Sequence, residues 1–272
     1  MTSSTDWNAA AEPGRRVGHS VEFHSSIGST NDRAWELLRA GADGIAVVAE
    51  LQTAGRGRNG RSWSSPAGVN LMASVGLRLS FAPENAWQLA AAAGLALLAA
   101  CRSVLPGAAG ARLALKWPND LVDADGRKVA GLLLETTVLG DRVREAAIGT
   151  GVNVNWRADE MPVDLAARST SLLQIGGAEV ERTSLLRAYL AALDAEIAGV
   201  ESGRSPLERF RAASWLTERR VQVAVGERIV AGQVVGIGPD GSLELETDAG
   251  RRSLGYGEVI RVDAGVVDEV PA

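Results

Sequence analysis

The chain has 272 residues and a formal net charge of −5, with 46% hydrophobic and 22% charged residues. This composition excludes a disordered chain, and the negative charge disfavours non-specific binding to nucleic acid or to an anionic membrane. A single cysteine, Cys101, excludes an internal disulfide framework, and with only two histidines it cannot form a soft-ligand zinc site of the usual kind.

The first predicted elements form a mixed α/β domain of roughly 200 residues, which follows a loose tail at residues 1–18. Apolar β-rich runs predict strands, and apolar residues at helical spacing predict helices. The predicted strands are 20–24, 45–51, 69–79, 113–117, 128–135 and 146–155. The predicted helices are 32–40, 84–104 and 183–200, and one more begins at Ser205-Pro206.

The sequence also predicts where the protein resides. Its first twenty residues lack the basic start and apolar core of a secretion signal. The longest apolar run, residues 89–101, is shorter than the ~20 residues that span a bilayer, so it predicts a buried helix. We therefore expect a cytoplasmic protein with no membrane partner.

The pattern changes after residue 219, where five short β runs are separated by turns. The turns lie at Gly226, at residues 239–241 and at residues 248–250. Five short strands in about fifty residues predict a small barrel of SH3-like dimensions.

The segment Gln52–Arg61, here called the Gly–Arg loop, carries three arginines, three glycines and no acidic residue. Its glycines match G-x-G-x-x-G, but Pro66 and Gly68 follow closely, so the segment does not open a helix as a dinucleotide-binding motif must. Several guanidinium groups on a flexible loop suit phosphates or carboxylates, because each can make paired charge-assisted hydrogen bonds. The alternative is a solvated basic turn.

Three further clusters lie in or beside predicted strands. Residues 116–120 (KWPND) bring Lys, Asn and Asp to a strand-to-loop junction, which suits a Mg²⁺-bound phosphate or a plain tight turn. Residues 127–131 (RKVAG) place a lysine at the mouth of a buried strand, either to hold an anion or as ordinary flanking charge. Residues 149–155 (GTGVNVN) carry two glycines within a strand, which indicates close approach of a backbone or ligand, or a β-bulge.

Several familiar catalytic motifs are missing. The sequence has no G-x-x-x-x-G-K-[ST] phosphate loop, no G-x-S-x-G nucleophile elbow and no H-E-x-x-H metal helix. We interpret His19 and His24 as structural, and Cys101 as a small buried hydrophobe. The sequence thus offers no activated nucleophile of its own.

Taken together and in this order, the segments resemble those of biotin–protein ligases. The resemblance covers roughly residues 20–262, and its combination of the Gly–Arg loop with KWPND and KVAG is specific, whereas each piece alone is weak. It rests on Ser29-Thr30-Asn31, QTAGRGRNGR at 52–61 continuing through Trp63 to Asn70-Leu71, KWPND at 116–120, KVAGLLLE at 128–135 and GTGVNVN at 149–155.

This resemblance implies an α+β fold with two domains. A mixed-sheet catalytic domain of the biotin/lipoate ligase, class II synthetase-like type would occupy residues 19–219, after the flexible tail at 1–18. A small SH3-like β-barrel would occupy residues 220–268.

The resemblance also implies a two-step reaction. Biotin and ATP, with Mg²⁺, would first give biotinyl-5′-AMP and pyrophosphate. A specific lysine of a biotin carboxyl carrier domain, part of an acetyl-CoA or acyl-CoA carboxylase, would then attack the mixed anhydride. Because biotin's carboxylate and the α-phosphate are both anionic, bringing them together requires neutralising charge.

The family's motifs imply roles for individual residues. The catalytic residues would be Lys128, as the central charge, with Arg56 near the acid and Asp120 on the Mg²⁺ side or facing the incoming lysine. Biotin would be bound by Ser29, Thr30, Asn31, Gln52, Arg56, Gly57, Arg58, Lys128 and Gly131. ATP would be bound by Arg58, Arg61, Trp63, Lys116, Asn119, Lys128 and Asn153, with Asp120 as the metal ligand. The Gly–Arg loop is expected to be mobile without ligand and to order on binding.

The sequence departs from some members of the family at its N-terminus, and it leaves two other functions as alternatives. Some family members carry an N-terminal winged-helix domain and act as repressors, but about twenty residues precede the first strand here, so we expect no DNA partner and no repressor function. A lipoate or octanoate ligase or transferase of the same fold remains an alternative, although its apolar ligand would not need the polar Ser-Thr-Gln set. A non-enzymatic adapter with a degenerate site is the other.

Overall fold

The computed structural model describes residues 5–263, and a seven-stranded mixed sheet forms the framework of its larger part. The sheet order is β1-β2-β3-β7-β6-β5-β4, with β1 parallel to β2 and every other neighbouring pair antiparallel. Its strands are β1 (Val21–His24), β2 (Ala46–Ala49), β3 (Leu71–Phe81), β4 (Ala114–Lys116), β5 (Asp120–Val122), β6 (Lys128–Leu139) and β7 (Arg142–Val152).

Helices cover both faces of this sheet. Because side chains alternate along a strand, Val47 and Ala147 pack against Ala34 of α1, while Val48 and Ile148 face the main core formed with α2 and α5. The α-helices are α1 (Thr30–Arg39), α2 (Ala86–Val104), α3 (Val163–Ala166), α4 (Leu172–Gly176), α5 (Arg182–Glu201) and α6 (Leu207–Ala212). Short 3₁₀ helices lie at Trp7–Ala10, Arg58–Gly60, Pro83–Asn85, Gly107–Arg112 and Ala158–Glu160.

The C-terminal part is a five-stranded antiparallel sheet with the order β11-β10-β9-β8-β12. All five predicted strands are present, and they are β8 (Arg220–Val225), β9 (Arg228–Ile237), β10 (Leu243–Thr247), β11 (Gly250–Leu254) and β12 (Glu258–Val262). The predicted α+β fold with a small C-terminal β domain is confirmed. We keep the domain boundary between residues 219 and 220 as a proposal, and residues 264–268 of the predicted barrel lie outside the described residues.

The N-terminal segment differs from its prediction. Residues 1–4 of the predicted loose tail lie outside the described residues, but Trp7 is only 2% exposed. Its indole Nε1 donates to Glu50 at 3.2 Å, and the guanidinium of Arg182 lies 5.0 Å from its ring centroid. Residues 5–18 therefore pack onto the larger domain, anchored by the burial of Trp7, Ala10 and Val17 together.

The predicted Ala-rich helix is α2, and it lies in the core. Among residues 5–263, one helical stretch (83–104) is long and apolar enough to span a membrane, and over half of its apolar window is buried. It packs against α5. Cys101 within it is fully buried, and this burial raises the pKa of its thiol to about 12, as expected for a structural cysteine.

Candidate active site

A cleft of about 870 Å³ lies between the Gly–Arg loop, the β6–β7 hairpin strands and the edge of the C-terminal sheet. Every site residue predicted from the sequence lines it. These residues are Ser29, Thr30, Asn31, Gln52, Arg56, Gly57, Arg58, Arg61, Trp63, Lys116, Asn119, Asp120, Lys128, Gly131 and Asn153. The structure thus brings together segments that are more than one hundred residues apart in the chain.

One end of the cleft is a buried polar cluster at the start of α1. The backbone N and Oγ1 of Thr30 donate to Gln52 Oε1 at 2.8 and 3.0 Å. Ser74 Oγ lies 2.7 Å from Thr30 Oγ1 and donates to Asn31 Oδ1 at 2.6 Å. Because buried polar groups must be paired, this cluster fixes the direction of each donor and acceptor. Ser74 was not predicted, although a lone serine in the apolar run of β3 is the signal that could have found it.

The two glycines of GTGVNVN make room for two side chains of the site. A Cβ on Gly149 would lie 2.4 Å from Asn31 Oδ1, and one on Gly151 would lie 2.4 Å from the Trp63 ring. The pairing of β7 with β3 and β6 is regular at both positions. The β-bulge alternative is therefore wrong here. The close approach of a backbone or ligand stays a prediction, since both glycines line the cleft as well as making room for two site residues.

Lys128 lies at the centre of the cleft. Its Nζ is 2.7 Å from Asp120 Oδ1 and 5.6 Å from the ring centroid of Trp63. Gly131 pairs with Asp120 across the β5–β6 ladder, and a Cβ there would lie 2.9 Å from Nζ. The bare backbone of Gly131 thus leaves room for the ammonium beside Asp120.

The other end of the cleft is rich in cations. Arg58 Nη1 donates to the amide oxygen of Asn119 at 3.3 Å, and burial lowers the pKa of Arg58. Burial also lowers the pKa of Lys116, whose Nζ lies 5.9 Å from the Trp215 ring centroid. Half-buried cations of this kind are costly without a counter-ion, so the region is suited to an anionic ligand.

Arg61 and Arg56 pair with carboxylates of the protein, whereas the sequence predicted that they bind the ligands. Arg61 forms an ion pair with Glu258 of β12, so the C-terminal sheet contributes directly to the cleft wall. Arg56 was expected near the acid, but its guanidinium donates to both oxygens of Asp32, at 2.7 and 2.8 Å, and also contacts Glu135. Two carboxylates already balance its charge, so this geometry favours anchoring of the loop over catalysis.

The Gly–Arg loop folds back on itself over the cleft. The Gly57 backbone N donates to Arg61 O at 2.7 Å, and Trp63 N donates to Gly55 O at 2.9 Å. Asn59, at φ 56°, turns the chain in the left-handed region, where asparagine is tolerated better than most residues. These contacts orient Trp63 across the strand end, above Gly151.

Asn153 lines the cleft, but its amide is used by the protein. Its Nδ2 donates to Thr170 O at 3.1 Å, and its backbone N donates to Val129 O at 2.8 Å. This ties Thr170 to the end of β7, directly after the segment 162–169 that lines the cleft and that no sequence motif indicated.

No group of three or more His, Cys, Asp or Glu side chains that could hold a metal occurs within residues 5–263. Asp120 is a hard oxygen donor in the cleft, but Lys128 already pairs with it. These residues therefore fit a Mg²⁺ ion that arrives with substrate phosphates and takes one protein carboxylate, rather than a preformed metal cage.

The fold and cleft define a class of enzyme that activates a carboxylic acid with a nucleotide. The comparisons with known proteins agree. Residues 23–153 match the model of the Biotin/lipoate A/B protein ligase family, and residues 217–262 match that of the Biotin protein ligase C terminal domain. The chain belongs to the biotin protein ligase family.

Named relatives cover most of the chain. The bifunctional ligase/repressor BirA of Bacillus spizizenii is 32% identical over 243 residues, which are 88% of this chain and 73% of that protein. The biotin--[acetyl-CoA-carboxylase] ligase of Mycobacterium tuberculosis is 34% identical and 89% of each chain is covered. The solved biotin protein ligase of Aquifex aeolicus, in complex with biotin and ATP, superposes with a TM-score of 0.72 at 29% identity, covering 88% of this chain and 96% of that one.

Proposed function

We propose that this protein is an ATP-dependent ligase that activates biotin and transfers it to a lysine of a biotin carboxyl carrier domain. The observation that carries the proposal is the position of Lys128, between a buried polar cluster at one end of the cleft and the half-buried cations Arg58 and Lys116 at the other. An acid with a polar head and a nucleotide with an anionic tail would meet at this ammonium.

The first step joins the two anions. A carboxylate oxygen of biotin attacks the α-phosphorus of ATP, and the bond to the β-phosphate bridging oxygen breaks, so pyrophosphate leaves. Lys128 would stabilise the charge shared by the carboxylate and α-phosphate oxygens, and Arg58 and Lys116 the charge of the phosphates. Mg²⁺, held by Asp120 together with the phosphates, would neutralise the leaving pyrophosphate.

The second step needs no enzyme nucleophile. The carrier lysine would arrive as an ammonium beside Asp120 and give up one proton to solvent. Its neutral amine then attacks the anhydride carbonyl carbon, the C–O bond to AMP breaks so that AMP leaves, and the nitrogen releases a second proton to solvent. The Gly–Arg loop and Trp63 would cover the adenylate and exclude water, whose attack would waste it.

The buried polar cluster favours biotin over lipoate or octanoate. In our proposal, Ser29, Thr30, Asn31 and Gln52 bind the ureido head, whose donors and acceptors require partners inside a pocket. An alkyl or dithiolane end offers these groups no hydrogen bond and would displace the water that otherwise contacts them, at roughly 1–3 kcal/mol for each group that loses a partner.

The decisive experiment is ATP–pyrophosphate exchange with biotin, lipoate or octanoate as the acid. We expect exchange with biotin, and labelling of a purified carrier domain on its addition. Exchange with lipoate but not with biotin would contradict the proposal, and no exchange with any acid would favour a non-catalytic adapter. Location in the cytoplasm and the absence of a DNA partner remain predictions, the latter open to a mobility-shift assay.

A further inference from the structure

Glu135, in the middle of β6, contacts both the biotin-head cluster and the Gly–Arg loop. One carboxylate oxygen, Oε2, accepts from Asn31 Nδ2 at 3.0 Å and from Trp35 Nε1 at 3.2 Å. The other oxygen, Oε1, lies 3.5 Å from Arg56 Nη2. A single carboxylate thus connects a residue of the cluster with the arginine that anchors the loop.

These contacts continue without a break on both sides. Asn31 is tied through Ser74 to Thr30, and Thr30 to Gln52. On the loop side, Arg56 also holds Asp32, the residue next to Asn31 in α1. The Arg56 guanidinium keeps the pKa of Asp32 below its usual range, so this part of the connection is charged at neutral pH.

We infer that Glu135 is a positioning residue that couples recognition of the acid's head group to the closed position of the Gly–Arg loop. The inference rests on the proposed function, since it takes the buried polar cluster as the head-group site. A head group that hydrogen-bonds Asn31 fixes the amide, the amide fixes Glu135 Oε2, and the carboxylate then holds Arg56. Hydrogen-bonded chains of this kind strengthen one another in a site of low dielectric.

Asp32 has a different part in this arrangement. It binds Arg56 in a bidentate pair but makes no side-chain hydrogen bond to the cluster within residues 5–263. Its side chain is 53% exposed, so it anchors the loop from the solvent side. Loss of Asp32 should loosen the loop in the presence and absence of biotin, whereas loss of Glu135 should erase the difference between these two states.

Tryptic cleavage after Arg56, Arg58 and Arg61, followed by mass spectrometry, measures the loop position. We expect saturating biotin to slow cleavage of the wild-type protein at least tenfold, and that of Glu135→Gln less than threefold. The amide keeps the shape of the side chain but turns a donor toward either Asn31 or Arg56. For Asp32→Asn we expect faster cleavage in both states, with the biotin ratio preserved.

Glu36→Gln is the matched control, because this exposed carboxylate lies on the same helix and pairs with Arg33. Calorimetry with biotin confirms that each variant is saturated. Unchanged protection in Glu135→Gln, or no protection in the wild type, would overturn the coupling. If Glu135→Gln does not fold, loss of the biotin ratio in Asp32→Asn would equally contradict the inference. Pyrophosphate exchange by the wild-type enzyme tests the proposed function separately.

Discussion

Two glycines of β7 give a test that separates the two halves of the cleft. Gly149 and Gly151 project from the same face of one strand, two residues apart. A Cβ on the first would lie 2.4 Å from Asn31 Oδ1, and one on the second would lie 2.4, 2.6 and 2.9 Å from three indole atoms of Trp63. Ordinary carbon contacts are about 3.5–4.0 Å, so each side chain must move by roughly 1 Å.

Alanine at each glycine should therefore impair the use of a different substrate. We expect Gly149→Ala to raise the KM for biotin and Gly151→Ala to raise the KM for ATP, each by about 10²-fold, the usual cost of a 1 Å misplacement at a site. Overpacking should cost each variant about 1–3 kcal/mol of unfolding free energy.

Pyrophosphate-exchange kinetics with each substrate varied in turn measures both constants. Gly255→Ala is the control, since a Cβ there meets no atom within 4 Å and its φ is not positive. Equal increases of both KM values in both variants would refute the reasoning, because they would indicate general damage to the strand. A change confined to the wrong substrate would refute the assignment of the two ends.

Three other predictions concern the centre of the cleft and its support. Lys128→Ala should slow adenylate formation about 10²–10³-fold with the protein still folded, as when one transition-state donor is removed; near-normal exchange would show that the charge is not central. Glu50→Gln should lower the free energy of unfolding by about 2–4 kcal/mol at neutral pH, because the Glu50 carboxylate accepts hydrogen bonds from both Nη groups of the buried Arg182. Burial opposes ionisation of Glu50, but Arg182 outweighs it and lowers the pKa of the carboxyl, so urea titrations should show the wild-type advantage fully at neutral pH and lose it as the pH falls below about 4. After turnover without carrier, mass spectrometry should find little biotin on Lys128, because its Nζ is held in an ion pair 2.7 Å from Asp120 Oδ1; extensive labelling of Lys128 would contradict this.

Most of the fold could be predicted because its elements are long and strongly patterned. The helices α2 and α5 and the five C-terminal strands follow from apolar periodicity and turn residues alone. The strand β5 (Asp120–Val122) and the short helices α3 and α4 could not, since three to five residues carry too little pattern. Their positions depend on contacts made elsewhere, such as the Lys128 backbone N donating to Arg168 O.

The candidate site, like the fold, could be predicted only in part from the sequence. The predicted site residues, which lie within recognisable motifs, all line the cleft, but their partners came from segments without any motif, such as Ser74, Glu258 and residues 162–169. The loose tail predicted at residues 1–18 was wrong for its described part, because a polar, small-residue composition concealed one anchoring tryptophan, Trp7. Composition averages over a segment, whereas packing depends on single large side chains.

The cleft gives a physical reason for the use of lysine rather than arginine at one position. The chain has 28 basic residues and only two are lysines, Lys116 and Lys128, so arginine is used at every other basic position. Composition alone cannot separate a general preference for arginine from a requirement of the site. Both lysines line the cleft, and the Nζ of Lys128 fits between Asp120, the Trp63 ring and the bare backbone of Gly131. A planar guanidinium is wider and needs in-plane acceptors, so it would not reproduce these contacts of a compact ammonium. At Lys128 the contacts therefore suit lysine better than arginine, and this is the position at which the two anions are proposed to meet.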